Sequence, residues 1–268
     1  MGWPVKHSRA PIIHGYWIEK HGLDAEFRLE AVRPEDFPNF LAHLADHGYV
    51  GGSATMPHKE MALKLTEPDA RATAIGAANV IWLDKGRLRS TNSDVLGFVA
   101  GLDEAARGWD KRTDKAVVFG AGGAARAVVY GLRERGVGAI HLHNRTMAKA
   151  EAFRQRFGDN VVPTSARQVP AALDGAALVV NAASFGMVGH PELDVDLSSV
   201  RNDAVVADVV YVPLETGLLK KARARGLRVS DGLAMLLHQG CECFYRWFGV
   251  MPVVTPELRA RVEQALRS

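Results

Sequence analysis

The chain has 268 residues, 47% hydrophobic and 24% charged, with 33 Lys and Arg against 30 Asp and Glu and a net charge of +3. That length holds one large domain or two ordinary ones. The scattered basic residues (pI ≈ 8.9) suit an anionic small ligand but exclude a nucleic-acid-binding stripe, and no apolar run reaches the roughly 18 residues of a membrane span.

Met1–Lys6 carries neither a charged n-region nor an apolar h-region, so it does not read as a signal peptide, and Lys6 breaks the myristoylation pattern. An amphipathic helix is expected around Ile12–His21 and another at Pro34–His47, followed by a strand at Tyr49–Thr55. His43 and His47 stand four apart on that second helix and, lacking a third ligand, read as surface residues. Ala78–Leu83 and Arg87–Thr91 read as a hairpin closed by Asp84-Lys85-Gly86. From Lys115 the rhythm changes. Strand Lys115–Phe119, helix Ala124–Arg135, strand Ala139–Asn144, helix Met147–Phe157 and strands Leu178–Asn181 and Ala204–Asp208 alternate as a parallel α/β sheet does. The tail, Ala234–Phe248 and Pro256–Arg267, is two helices expected to pack back on the first domain. The only cysteines, Cys241 and Cys243, are two apart in a helical stretch. They form neither a disulfide framework nor a metal knuckle, and a reducing cytoplasm is the default.

Gly120-Ala121-Gly122-Gly123-Ala124-Ala125-Arg126 follows a strand and opens a helix, which is the context that gives G-x-G-x-x-A its meaning. Gly120 permits the tight turn, Gly122 lets backbone approach a pyrophosphate, and Ala125 lets the helix sit close to the strand. The free N–H groups of the helix start then attract phosphate. At the end of the next strand an NAD enzyme carries Asp or Glu, about 20 residues on. Here the chain reads Asn144-Arg145-Thr146: no carboxylate repels a 2′-phosphate, and Arg145 offers a fork to bind one. The plainer reading of Arg145 is a solvated surface arginine; the strand-end context favours NADP.

A dehydrogenase also needs a group that exchanges the alcohol proton. Gly51-Gly52-Ser53-Ala54-Thr55-Met56-Pro57-His58-Lys59 runs from a strand into a Pro-punctuated turn and ends on a lysine that begins a helix. A helix start disfavours a cation, which suits a lysine that must give up its proton. His58 reads either as tuning that lysine or as a solvated histidine. Thr91-Asn92-Ser93-Asp94 ends a strand on a carboxylate. Alone, Lys59 and Asp94 read more simply as a surface lysine and a helix-capping aspartate.

Nine segments in register resemble the shikimate dehydrogenase family. They are Gly2–Pro11 for G-x-P-x-x-H-S-x-S-P, Gly51–Lys59 for G-x-N-V-T-x-P-x-K, Gly76–Asn79 for G-A-x-N and Asn92–Gly97 for N-T-D-G-x-G. The Rossmann half adds Gly120–Arg126, Asn144–Thr146 and Asn181–Met187, and the late pieces are Tyr211–Thr216 and Asp231–Gln239. The resemblance implies a substrate domain of residues 1–97 plus 235–268 and a Rossmann NADP domain of residues 98–234. It implies Lys59 as catalytic acid/base with Asp94 its charged partner. Substrate contacts would come from Ser8, Ala10, Ser53, Thr55, Asn79, Asp94, Tyr211 and Gln239. Cofactor contacts would come from Gly120, Ala121, Gly122, Gly123, Ala124, Asn144, Arg145, Thr146, Ala183, Ser184, Met187, Val209, Gly232 and Met235; outside those motifs, Met187, Met235 and Phe244 would read as core. The implied reaction is reversible reduction of 3-dehydroshikimate to shikimate with NADPH and no metal, by a cytoplasmic monomer or homodimer.

The departures lie mainly on the substrate side. Ala10 replaces a serine, Ser53 an asparagine, Val95 a glycine, Ala183 a threonine and Ala234 a glycine. A strand that precedes the opening glycine in the family has no counterpart before Met1, so either the start is placed late or the first sheet has lost a strand and exposes an edge. Two further readings compete with the leading one, besides a paralogue acting on quinate or aminoshikimate. Glutamyl-tRNA reductase shares the G-x-G…N-R-T domain but needs a nucleophilic cysteine in its first domain, and this chain has none before Cys241. A non-catalytic NADP-binding protein would have no need of Lys59 and Asp94.

Overall fold

The computed structural model describes residues 1–6 and 8–267, so His7 of the opening motif lies outside the described residues. The chain forms two compact units: Met1–Ser93 with Leu237–Ser268, and Asp94–Leu236. No helix among the described residues is long and apolar enough to cross a membrane.

The first unit contains α1 (Ala10–Lys20), α2 (Phe37–Ala42), β1 (Gly51–Ser53), α3 (Lys59–Leu65), β2 (Glu67–Pro68), α4 (Ala70–Ile75), β3 (Val80–Asp84) and β4 (Arg87–Thr91). Its sheet has the order β1-β3-β4-β2, with β1–β3 and β3–β4 antiparallel and β2–β4 parallel. The hairpin turns on Lys85 and Gly86, both at positive φ (52° and 78°), the conformation a two-residue primed turn requires. Val32, Phe37, Leu41, Leu44, Ala54, Ala62 and Ile81 form the core beneath the sheet.

The helix expected over 34–47 is only six residues long: α2 closes at Ala42, and turns carry the chain on to Gly48 at φ 79°. Phe37, Leu41 and Leu44 are all buried, so the apolar periodicity is real, but it continues as turns. His43 and His47 are exposed and do not share a regular helix. The strand expected over 49–55 shortens to β1, which lies at the edge of its sheet. Beside it runs a cavity of about 390 Å³ whose lining includes Phe27, Tyr49, Ser53 and Trp247.

The second unit holds α5 (Asp94–Ala105), β5 (Lys115–Phe119), α6 (Gly123–Glu134), β6 (Ala139–His143), α7 (Met147–Phe157), β7 (Val161–Thr164), α8 (Val169–Leu173), β8 (Leu178–Asn181), β9 (Val205–Asp208), α9 (Gly217–Ala224) and β10 (Arg228–Ser230). All six strands pair parallel, in the order β10-β9-β8-β5-β6-β7. Side chains alternate across β5. Ala116 and Val118 join the core under α5, α6 and α7, while Val117 and Phe119 join the opposite core under α8 and α9. Both faces are covered, which is why these strands are continuous apolar runs.

The tail comprises α10 (Gly232–Phe248) and α11 (Pro256–Arg267). From Leu237 onward it belongs to the first unit. Trp17 donates from Nε1 to the Val253 carbonyl at 3.1 Å, and Tyr16 and Thr255 hydroxyls meet at 2.9 Å. Trp247 donates to the carbonyl of Ile81 on β3 at 2.9 Å. Cys243 is buried and Cys241 half-buried, both unbridged, and burial pushes the Cys241 thiol up to about 11.

Candidate active site

In the second unit the chain leaves β5 at Gly120, whose φ of 110° is a left-handed conformation. An added Cβ there would lie 2.9 Å from both the Ala182 carbonyl oxygen and the Ala183 Cβ, so the turn has no room for a side chain. Its amide donates to the His143 carbonyl of β6 at 2.8 Å. Gly122 then takes the N-cap position of α6 and no side chain caps it. Cβ atoms at Gly122 or Gly123 would meet nothing within 4 Å, leaving an open, glycine-lined cradle at the positive end of a helix. Ala125 is fully buried against the sheet. These features fit a dinucleotide pyrophosphate.

At the neighbouring strand end, Asn144 donates to the Thr146 carbonyl at 2.9 Å, and Thr146 is the N-cap of α7. Arg145 is exposed and forms no ion pair among the described residues, so its guanidinium is available to a phosphate.

On the other side of β5 the chain leaves β8 through Ala183, Ser184 and Met187, the last two exposed, and leaves β9 through Val209 and Tyr211, both half-buried. The Val209 amide donates to the Asn181 carbonyl at 3.0 Å, and the Val188 amide to Val212 at 3.3 Å. Gly232 opens α10 beside Val209 and Val210, with Met235 half-buried against the unit's core. Asp94, in the first turn of α5, is buried.

In the first unit, backbone pairing gathers several of the expected residues. Ser53 pairs with Val80, and the Ala54 amide donates to the Asn79 carbonyl at 2.9 Å. The Thr55 carbonyl accepts from His58 at 2.8 Å in the turn that ends at Lys59, and the Lys59 carbonyl accepts from Ala78 at 2.9 Å. Buried Asn79 turns its amide toward the α10 side chain of Gln239, donating to Oε1 at 3.4 Å and to the Ser93 hydroxyl at 3.0 Å. Ser53, Thr55, Lys59, Asn79 and Gln239 are thus linked through a few bonds. Ser8 instead accepts from the Ala10 amide at 3.3 Å at the start of α1, and neither residue is tied to the others by a described bond.

His58 is not a solvated histidine. It is buried, stacks on Phe37 with ring centroids 4.2 Å apart, and bonds the Val32 carbonyl at 2.8 Å; burial lowers its pKa. Two further residues stand out only in the structure: Ser93, which orients Asn79, and Asp208, a buried carboxylate closing β9. The available signal for Asp208 was an acid placed directly after an apolar strand.

A doubly wound parallel sheet with a glycine cradle after its first strand and an arginine after its second defines a class: a dinucleotide-binding protein, here with a second unit in addition to the dinucleotide domain. Comparison with known proteins narrows the class. The shikimate dehydrogenase substrate-binding domain matches residues 1–81, and the shikimate/quinate 5-dehydrogenase family matches residues 103–189. A shikimate dehydrogenase (NADP(+)) of Rhodopseudomonas palustris (strain TIE-1) is 56% identical over 266 residues, covering 99% of this chain and 95% of that one. The Thermus thermophilus shikimate 5-dehydrogenase, solved with NADP(H) and shikimate, superposes with TM-score 0.84 at 32% identity, covering 99% of this chain and 97% of that one. The quinate dehydrogenase of Corynebacterium glutamicum, solved with NAD, gives TM-score 0.87 at 31% identity, covering 98% and 96%. The chain belongs to the shikimate dehydrogenase family.

Proposed function

We infer that this protein is an NADP-dependent shikimate dehydrogenase that reversibly reduces 3-dehydroshikimate to shikimate in aromatic amino acid biosynthesis, acting in the cytoplasm as a monomer or homodimer. The observation that carries the reading is the 56% identity to an NADP-dependent shikimate dehydrogenase over 99% of the chain. The glycine cradle and the exposed Arg145 support the choice of cofactor.

Bound NADPH supplies the hydride. Lys59, at the start of α3, gives a proton to the substrate oxygen during reduction and takes it back during oxidation, with Asp94 as its charged partner. Asn79 and Gln239 bind ring hydroxyls, Ser8 and Thr55 the carboxylate, and Tyr211 lies near the reacting carbon. Gly120 through Ala124 hold the pyrophosphate and Arg145 the 2′-phosphate. Ala183, Ser184, Met187, Val209, Gly232 and Met235 line the remainder of the cofactor site.

Ala10 and Ser53 favour a second reading of the same chemistry. With a hydroxyl and a longer amide removed from the substrate side, the preferred substrate shifts toward a related cyclic polyol acid such as quinate or aminoshikimate.

The test follows NADPH absorbance with 3-dehydroshikimate, and the reverse reaction with shikimate, quinate and aminoshikimate and both nicotinamide cofactors. NADPH consumption with 3-dehydroshikimate is expected, and its absence overturns the reading. Faster oxidation of quinate than of shikimate establishes the second one.

A further inference from the structure

The buried carboxylate of Asp208, at the end of β9, gathers three donors. Asn181 Nδ2 and the Val210 amide each reach Oδ1 at 2.9 Å, and the Thr216 hydroxyl reaches Oδ2 at 2.7 Å. Each donor holds a different piece of chain. Asn181 ends β8, and its amide group also donates to the Phe185 carbonyl at 2.9 Å and accepts from the Ala183 amide at 3.2 Å, which folds the β8 loop over it. Val210 begins the β9 loop. Thr216 ends that loop and caps α9, accepting from the Leu219 amide at 3.4 Å. One side chain thus fixes both ends of the β9 loop and, through Asn181, the β8 loop. Burial pushes the Asp208 carboxyl up to about 6 and the nearby Glu192 adds to this, while the three donors pull it down.

The strand order says which part of a ligand these loops face. With pyrophosphate at the β5 loop and a 2′-phosphate at Arg145 after β6, the adenosine half lies over β6. The other half of the dinucleotide must then extend over β8 and β9, on the opposite side of β5. We propose that Asp208 is a positioning residue for the nicotinamide half of the cofactor, holding the β8 and β9 loops at the spacing that receives it. The proposal rests on the dinucleotide reading of this unit.

The probes are NADPH, NADH and 2′,5′-ADP, which presents the adenosine half alone, and the variant is Asp208→Asn, which keeps the shape but sets an NH₂ group against one of the donors. Dissociation constants for NADPH and NADH should rise together by roughly five- to tenfold, the scale of one charge-assisted hydrogen bond. The preference between them, and the affinity for 2′,5′-ADP, should stay within about twofold, a split that a general loosening of the unit would not produce. If Asp208→Asn does not fold, Thr216→Val removes a single donor and should act in the same direction by roughly two- to threefold. Unchanged NADPH affinity in the folded variant, or an equal loss for 2′,5′-ADP, overturns the proposal. A wild type that binds none of the three probes overturns the dinucleotide reading, and this proposal with it.

Discussion

The Ser93 amide donates to Asn79 Oδ1 at 2.7 Å, and this bond decides which way the buried Asn79 amide points. With Oδ1 engaged by a backbone donor, Nδ2 must face the Ser93 hydroxyl and Gln239. Asn79→Ala leaves the buried Ser93 amide without an acceptor, a loss of about 1–3 kcal/mol. The urea midpoint should fall accordingly and KM for shikimate should rise, while the NADPH dissociation constant holds. An unchanged midpoint would show that the Ser93 amide finds another acceptor.

Lys59→Ala removes the proposed proton exchanger and leaves the glycine cradle and Arg145 unaltered. The value of kcat should drop on the order of 10²–10⁴-fold, the usual scale of general acid–base catalysis. NADPH titration by fluorescence should match the wild type. Turnover within about fivefold of wild type would place the proton relay on another residue.

Arg145→Ala tests the 2′-phosphate contact. An exposed arginine with no ion pair among the described residues has little structural work to lose, so stability should barely change. The ratio of kcat/KM for NADPH over NADH should fall by roughly 10- to 150-fold, the equivalent of about 1.5–3 kcal/mol. Equal use of the two cofactors by the wild type would refute the assignment outright.

The double change Ala10→Ser with Ser53→Asn restores polar groups that the family places on the substrate side. Each regained hydrogen bond is worth roughly 1–3 kcal/mol if its partner is otherwise unsatisfied. Steady-state kinetics should show kcat/KM for shikimate rising at least several-fold. No gain, in an enzyme that already turns over shikimate efficiently, would mark the two substitutions as neutral.

His14 supplies a test of pH dependence. Its ring is buried among Phe27, Trp17, Phe244 and Trp247, with Nδ1 unpartnered among the described residues, and burial lowers its pKa from 6.5 to about 3. The folded protein therefore keeps the ring neutral while the unfolded chain takes up a proton below pH 6.5. The stability tied to this group is present above pH 6.5 and is lost as the pH falls toward about 3, by up to about 1.4 kcal/mol per pH unit. His14→Phe should show a smaller drop in Tm between pH 7 and pH 4.5 than the wild type in thermal melts. Identical drops would mean that His14 is not held neutral in the folded protein.

The parts whose information is local can be read from the order of residues alone. Strands Lys115–Phe119 and Leu178–Asn181 and helix Met147–Phe157 stand where the pattern placed them, because an apolar run between Gly and Asn punctuation needs no distant partner to be read. The glycine cradle was legible for the same reason, since its strand–G-x-G–helix order is local, although the crowding of Gly120 by Ala182 and Ala183 is not. Long-range packing settles the rest. Short β7 and β10 exist because β6 and β9 offer parallel edges to pair with, and three or four residues carry too little periodicity to announce that. The Pro34–His47 pattern promised a long helix, but burial of Leu44 is met by a turn as well as by a helix, and the chain stops at Ala42. The orientation of Asn79 and the three donors on Asp208 come largely from residues 8 to 160 positions away, brought close only when sheets and tail helices pack. No local pattern encodes such a bond, because its energy exists only once both partners have left water.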